Sequence, residues 1–301
     1  MKRERPSPWG PMRVADAHVH FFSHKFFSTL VSQKPGLTLD VAKAQLGWEM
    51  PDKDPEKFGA RWIAELDQQN VDIAAIIASV PGDEGSVAAA AYANPGRLVP
   101  FAMVNPKGFQ APTLAAVRVA CLFPAMHLFS IQDECVRPVF EWAQREKGAV
   151  FVHCGMLSVG VRAKLDLPSQ FDLRFSNPID LHAVALRYPS VPIIIPHFGA
   201  GFFREALMVA TLCPNVYLDT SSSNDWTKLQ VPPISVRGSF RQALKTIGPK
   251  RLLFGTDSSF FPRGWQSAIF EAQAAALHEL GTSQEDAQAI FADNLVRILA
   301  L

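Results

Sequence analysis

Cysteine is scarce in this chain: four residues, Cys121, Cys135, Cys154 and Cys213, with no Cys-x-x-Cys pair. That excludes a dense disulfide framework and predicts reduced, buried thiols in a cytoplasmic protein. Charge of one sign is also lacking. Lys and Arg number 29 against 28 Asp and Glu, a net charge of +1, with no long basic stripe. Neither nucleic acid nor an anionic membrane is therefore an implied partner. A homodimer is compatible with this composition but nothing in it requires one. Long apolar runs are missing too. The segment VPIIIPHFGAGFF is broken by Pro and Gly before it reaches membrane-spanning length, and the basic start MKRERPSPWGPMRV has no apolar stretch behind it. No residue repeat and no low-complexity tract interrupts the chain.

What remains is a globular composition: 48% hydrophobic and 19% charged residues over 301 positions, enough for a sizeable core. Short runs rich in Val, Ile, Leu and Phe alternate with longer segments of helical period. Eight strands are predicted: Arg13–Ala17, Val71–Ser79, Leu98–Val104, Ala120–Ala125, Ala149–His153, Val191–His197, Val216–Asp219 and Arg251–Thr256. Pro124 makes the fourth the weakest. Helices are predicted for Pro55–Asn70, Gln132–Lys147, Ile179–Tyr188, Phe202–Leu212, Ser239–Ile247, Trp265–Leu280 and Ser283–Leu299. Strand–helix alternation predicts a parallel sheet, and eight units in this length predict one α/β domain over 1–301, a (β/α)8 TIM barrel. An open doubly wound sheet is the rival. Residues 21–54, after the first strand, exceed an ordinary βα loop of roughly 2–6 residues and predict a lid-like insertion with a short helix near Leu39–Leu46.

The chemistry sits at strand ends. Asp16-Ala17-His18-Val19-His20 puts two imidazoles two residues apart, on one side of a strand. Such a pair can bind a metal ion, but alone it is equally well two loop histidines, since three or four ligands are needed. Phe151-Val152-His153-Cys154-Gly155 and Ile193-Ile194-Ile195-Pro196-His197-Phe198-Gly199 each end an apolar run on His. Leu252-Leu253-Phe254-Gly255-Thr256-Asp257 ends one on a carboxylate. Singly, each His has a structural explanation, and Asp257 reads as a helix N-cap. Four independent strands ending in ligand types argue for one site at the carboxyl end of a barrel.

These motifs, DAHVH, VFVHCG, IIIPHFGAG and LLFGTD, resemble the amidohydrolase superfamily, in the branch that holds aminocarboxymuconate-semialdehyde decarboxylase and related hydrolases. The resemblance implies a distorted barrel with one catalytic divalent ion, usually Zn2+. It implies His18, His20, His153 and Asp257 as metal ligands, with His197 beside a metal-activated water and His197 and Asp257 as the catalytic acid–base groups. Binuclear members carry a bridging Lys or Glu near strand four. The stretch Ala120-Cys121-Leu122-Phe123-Pro124-Ala125-Met126-His127 has neither, so a single ion is implied. Relatives often carry Lys and His just before that proline, where this chain has Cys121 and Phe123, and His127 reads as a surface-loop residue.

For substrate binding, Arg162, Arg174 and Arg263 follow strands five and eight, where a carboxylate could meet them, and Arg263 is the strongest of the three. Phe21, Phe22, Phe260, Phe261 and Trp265 crowd the same mouth, so Arg263, Arg174, Phe21 and Trp265 are the predicted substrate contacts. Three functions compete. The first is a metal-dependent hydrolase of a small carboxylate-bearing amide, ester or lactone. The second is a non-oxidative decarboxylase of an aromatic or unsaturated acid. The third is a non-catalytic barrel with a vestigial metal site.

Overall fold

The computed structural model describes residues 3–221 and 225–301. Every predicted strand is present: β1 Ala15–Phe21, β2 Ile73–Ala78, β3 Leu98–Met103, β4 Val119–Leu122, β5 Ala149–Val152, β6 Ile193–Ile195, β7 Val216–Asp219 and β8 Leu252–Leu253. They form one parallel sheet in the order β1 to β8, each pairing with its sequence neighbour. The backbone closes the ring, because Ala17 and His20 N–H groups donate to the Phe254 and Ser258 carbonyls at 2.8 and 2.7 Å. A doubly wound sheet would place later strands on the far side of β1, so that rival is excluded.

The barrel interior is filled, as a closed eight-stranded sheet requires. Inward residues include Ala15, Ile73, Val99, Phe101, Phe151 and Ile194, while a second layer between strands and helices includes Val14, Ile76, Val150 and Leu218. The last helical stretch, Gln284–Leu299, is wound through a π-turn at Ala289–Asp293 and sends Ala292, Leu295 and Leu299 against the inward layer at the amino end of the barrel. The opposite, carboxyl end is left for loops.

One irregularity positions the chemistry. The β1–β2 register slips between Asp16 and Val19, with Asp16 opposite Ala74 and Val19 opposite Ile76. The extra residue is a β-bulge, which reverses the in–out alternation. Ala15 and Ala17 face inward before it, Val19 and Phe21 face outward after it. His18 and His20 are thereby turned together into the carboxyl mouth, inside the strand and not beyond it.

Residues 21–54 fold as helices His24–Val31 and Leu39–Leu46, whose N-caps Ser23 and Thr38 accept from Phe26 and Val41 N–H. Their apolar faces join a separate cluster, in which Phe26, Phe27, Leu46 and Trp48 meet Val80, Val161 and Leu165 from the loops after β2 and β5. An additional helix, Glu84–Ala93, lies between β2 and β3. Its run of alanines gives no one-sided stripe, so periodicity does not reveal it.

Candidate metal centre and active-site cavity

Two of the ligand candidates, His18 and His20, are each held by a second group. His18, on β1, is buried, and its Nδ1 lies 2.6 Å from Asp219 Oδ2 at the end of β7. That partner fixes the ring so that Nε2 faces Asp257, 3.5 Å from its Oδ1. His18 Nε2 is buried and has no hydrogen-bond partner among the described residues. His20 Nδ1 meets the Ser79 hydroxyl at 2.7 Å, leaving Nε2 at 3.2 Å from the same Asp257 oxygen. One ligand atom from each of His18, His20 and Asp257 lies within 4.8 Å of the others. A carboxylate between two imidazole nitrogens, each braced from behind by a carboxylate or hydroxyl, is how metal ligands are oriented.

The electrostatics agree. Burial pulls Asp257 toward the neutral form, but the His20 hydrogen bond and the neighbouring imidazoles outweigh it and hold this carboxyl well below the usual carboxylate range. Burial lowers His20. His18 is also pulled down by burial, yet Asp219 and then Asp257 raise it to about 9. The group therefore keeps a proton where a cation would replace it.

Asp257 is not a helix N-cap. The next helix begins at Ser267, ten residues on, with Gln266 at its cap. Instead Asp257 adopts φ +57°, and His197 adopts φ +55°. A left-handed backbone at a non-glycine residue costs on the order of 1–3 kcal/mol and persists where surrounding structure holds it. Asp257 N–H donates to the His18 carbonyl at 2.9 Å, and His197 C=O accepts from Ala200 N–H at 2.8 Å. Gly255 packs so closely that a Cβ there would lie 2.7 Å from Asp219 Oδ1 and 3.0 Å from His18 Cβ, so this position must lack a side chain.

His197 and His153 complete the histidine cluster. His197 Nδ1 lies 2.9 Å from the Ser221 hydroxyl, and its ring is 4.9 Å from His18 and 5.3 Å from His153. His153 stacks on Phe123, the residue before Pro124, with centroids 5.3 Å apart. Its Nδ1 is buried without a hydrogen-bond partner among the described residues. Burial lowers both imidazoles, His153 well below its ordinary value. His153 stands outside the tight group formed by His18, His20 and Asp257. Cys121 is buried in the barrel interior, where burial pushes its thiol up.

A cavity of about 520 Å3 opens above this cluster and is lined by His20, His153, His197 and Asp257. Phe22, Phe26, Trp48, Phe123 and Phe260 form its apolar walls. Arg263 lines it as well, donating to Ser259 Oγ at 2.7 Å with its guanidinium 4.4 Å from the Phe260 ring centroid. Three predicted substrate contacts lie elsewhere. Arg174 is exposed and paired with Asp172 at 2.5 Å, outside the cavity lining. Phe21 points outward from β1 into the core, with Phe58 at 4.6 Å, because the bulge reverses the facing of the strand. Trp265 is buried and donates from Nε1 to Asp16 Oδ2 at 2.8 Å.

Sequence reasoning missed the residues behind the ligands. Asp16 is buried and accepts from His18 N–H, Thr256 and Trp265, fixing β1 against the β8 loop. Burial raises its pKa to about 6 even though these hydrogen bonds favour the ionised form. Asp219 ends a predicted strand on a carboxylate, the same signal that singled out Asp257. Asp219→Asn is expected to weaken divalent-ion affinity about 10–100-fold, measured by competition with a chromogenic chelator. Unchanged affinity would show that His18 needs no carboxylate behind it.

The comparisons with known proteins follow this geometry. A family model described as amidohydrolase matches residues 15–301. Among curated proteins, the chain is 33% identical over 98 residues to Protein fluG of Emericella nidulans, a stretch covering 31% of this chain. The chain spans about a tenth of the length of that relative (10%). Among solved structures it is similar to 5-carboxyvanillate decarboxylase from Novosphingobium aromaticivorans, a mutant with bound manganese and 3-methoxy-4-hydroxy-5-nitrobenzoic acid. That match has TM-score 0.63 and 14% identity over 99% of this chain and 100% of the other. It is also similar to a probable 2-pyrone-4,6-dicarboxylic acid hydrolase from Acinetobacter baumannii with citric acid bound. Here the TM-score is 0.62 and the identity 12%, over 96% of this chain and 100% of that one. At these identities the likeness establishes the barrel fold.

Proposed function

This chain belongs to the amidohydrolase family, and from that premise we propose that it is a metal-dependent hydrolase of a small, carboxylate-bearing amide, ester or lactone. The observation that carries the reading is the convergence of His18, His20 and Asp257 on one point under a cavity that also holds His197 and Arg263. The residues fit a divalent ion. His18 Nε2 is buried with no partner among the described residues, and the donor set of two imidazoles and a carboxylate suits zinc once a cation displaces the proton. We assign His18, His20 and Asp257 as ligands, add His153 from the cavity wall, and take Zn2+ as the ion. One ion is proposed, because residues 120–127 offer no bridging carboxylate or lysine. Once bound, the ion supplies Lewis acidity and lowers the pKa of water.

The chain's own groups do the rest. Asp257, held ionised, accepts the proton shed by water as its oxygen bonds to the substrate carbonyl. It returns that proton to the leaving nitrogen or oxygen as the old bond breaks. His197, neutral through burial, donates a hydrogen bond to the carbonyl oxygen as charge develops there. Arg263 holds the substrate carboxylate, and the five aromatic walls exclude water and pack the apolar body. Residues 21–54 supply Phe22, Phe26 and Trp48 to those walls, and we propose that this segment serves as the cover of the cavity.

A decarboxylase is the second reading, favoured by the aromatic walls Phe22, Trp48, Phe123 and Phe260, which suit an aromatic acid. Product analysis separates the two. With zinc- or manganese-loaded protein, a panel of aryl esters, lactones and hydroxybenzoates is turned over in isotope-labelled water. Label in a product carboxylate without CO2 is the expected result. Release of CO2 without label uptake overturns the hydrolase and assigns the decarboxylase.

A further inference from the structure

Beside the catalytic cavity lies a second one of about 460 Å3. Phe26, Ser79, Met103, Met126 and Val159 line both, so the two meet along a shared partition. Two of these are methionines, unbranched side chains that change rotamer at little cost. Ser79 ties the partition to the reaction centre, since its hydroxyl holds His20 Nδ1. The catalytic cavity and the second chamber are therefore neighbours across a single layer of side chains.

The walls beyond the partition are apolar and cationic. Leu30, Val80 and Phe171 supply the apolar surface, and Arg162 and His127 the polar groups. The lining contains no Asp or Glu. Arg162 Nε donates to the Pro168 carbonyl at 3.1 Å, which seats the guanidinium on the chamber wall. Burial alone, with no carboxylate opposing it, acts on that guanidinium. His127 is half-buried in the turn Pro124–His127 rather than loose on the surface, and its Nδ1 has no partner among the described residues. Burial and then Lys107 pull its pKa down to about 4, so the ring is a neutral hydrogen-bonding group beside a fixed positive charge.

We infer that this chamber is a subsite for the distal, anionic end of an elongated substrate. The reacting group lies at His20 and Asp257, an apolar spacer passes Met103 and Met126, and a second carboxylate ends at Arg162 and His127. The inference rests on the assignment of His18, His20 and Asp257 as the reaction centre, and it adds a second recognition point to that site.

Calorimetry on the zinc-loaded full chain tests it with three probes: benzoate, para-butylbenzoate and para-(carboxypropyl)benzoate. The diacid is expected to bind at least about tenfold more tightly than the butyl compound, as a charge-assisted contact to arginine requires. Arg162→Gln should remove that gain and leave benzoate binding unchanged. His127→Gln should reduce the gain by a smaller factor, and if that variant does not fold, Arg162→Gln at the chamber wall decides. A diacid no tighter than para-butylbenzoate, a gain that survives Arg162→Gln, or no binding of any probe overturns the inference. Failure of the proposed reaction shows differently, as absent hydrolysis with the diacid gain intact.

Discussion

Asp257→Asn is expected to cut turnover by about 10²–10⁴-fold while the protein keeps its fold and part of its metal. The reason lies in what the substitution preserves. Asparagine keeps an oxygen where Oδ1 now meets His20 Nε2 at 3.2 Å, so a weak ligand remains. The negative charge that the neighbouring imidazoles sustain against burial is gone, and with it the capacity to take a proton from water. Steady-state kinetics and metal content on the same preparations check this. Full activity in Asp257→Asn would return the residue to a structural part, held by its N–H to the His18 carbonyl and not needed for proton transfer.

Larger still is the effect expected for His18→Ala: loss of the ion and, with it, of all metal-dependent turnover. It also removes the partner of Asp219, a carboxylate with 0% exposure. Leaving a buried charge unpaired typically costs about 3–5 kcal/mol, so thermal unfolding should move down markedly. His20→Ala separates the two consequences. His20 is partly exposed and braced by a neutral hydroxyl, so its removal should lose the ion with a smaller stability penalty. His197→Ala should behave in the opposite way, retaining the ion and losing about 10²–10⁴ in rate, because its anchor is Ser221 and its proposed part is to donate a hydrogen bond to substrate. If His197→Ala loses metal as readily as His18→Ala, His197 is a ligand and the division of roles fails.

The barrel was legible because parallel strands buried on both faces read as continuous apolar runs, as β2 to β6 and β8 do. The Glu84–Ala93 helix was not, since alanine on every side leaves no periodic contrast. His18, His20, His197 and Asp257 announced themselves as ligand types at strand ends. Which way each neighbour faces was hidden. The bulge at Asp16–Val19 appears only in the pairing register, and it sends Phe21 into the core while Phe22 lines the cavity. Trp265 was drawn off by a buried acceptor, Asp16, more than two hundred positions away in the chain. Arg174 found its acid two residues earlier, at Asp172, a local pairing that competes with any substrate. Asp219 was readable in principle, but its role depends on lying beside His18, which only closure of the barrel brings about.

The central claim is that His18, His20 and Asp257 form one divalent-ion site on which the activity depends. Elemental analysis of the full chain, purified without chelator and compared with His18→Ala and His20→Ala prepared in parallel, tests it most directly. The account predicts about one divalent ion per wild-type chain and close to none in either variant. A reproducible two ions per chain, or wild-type content in the variants, would contradict it.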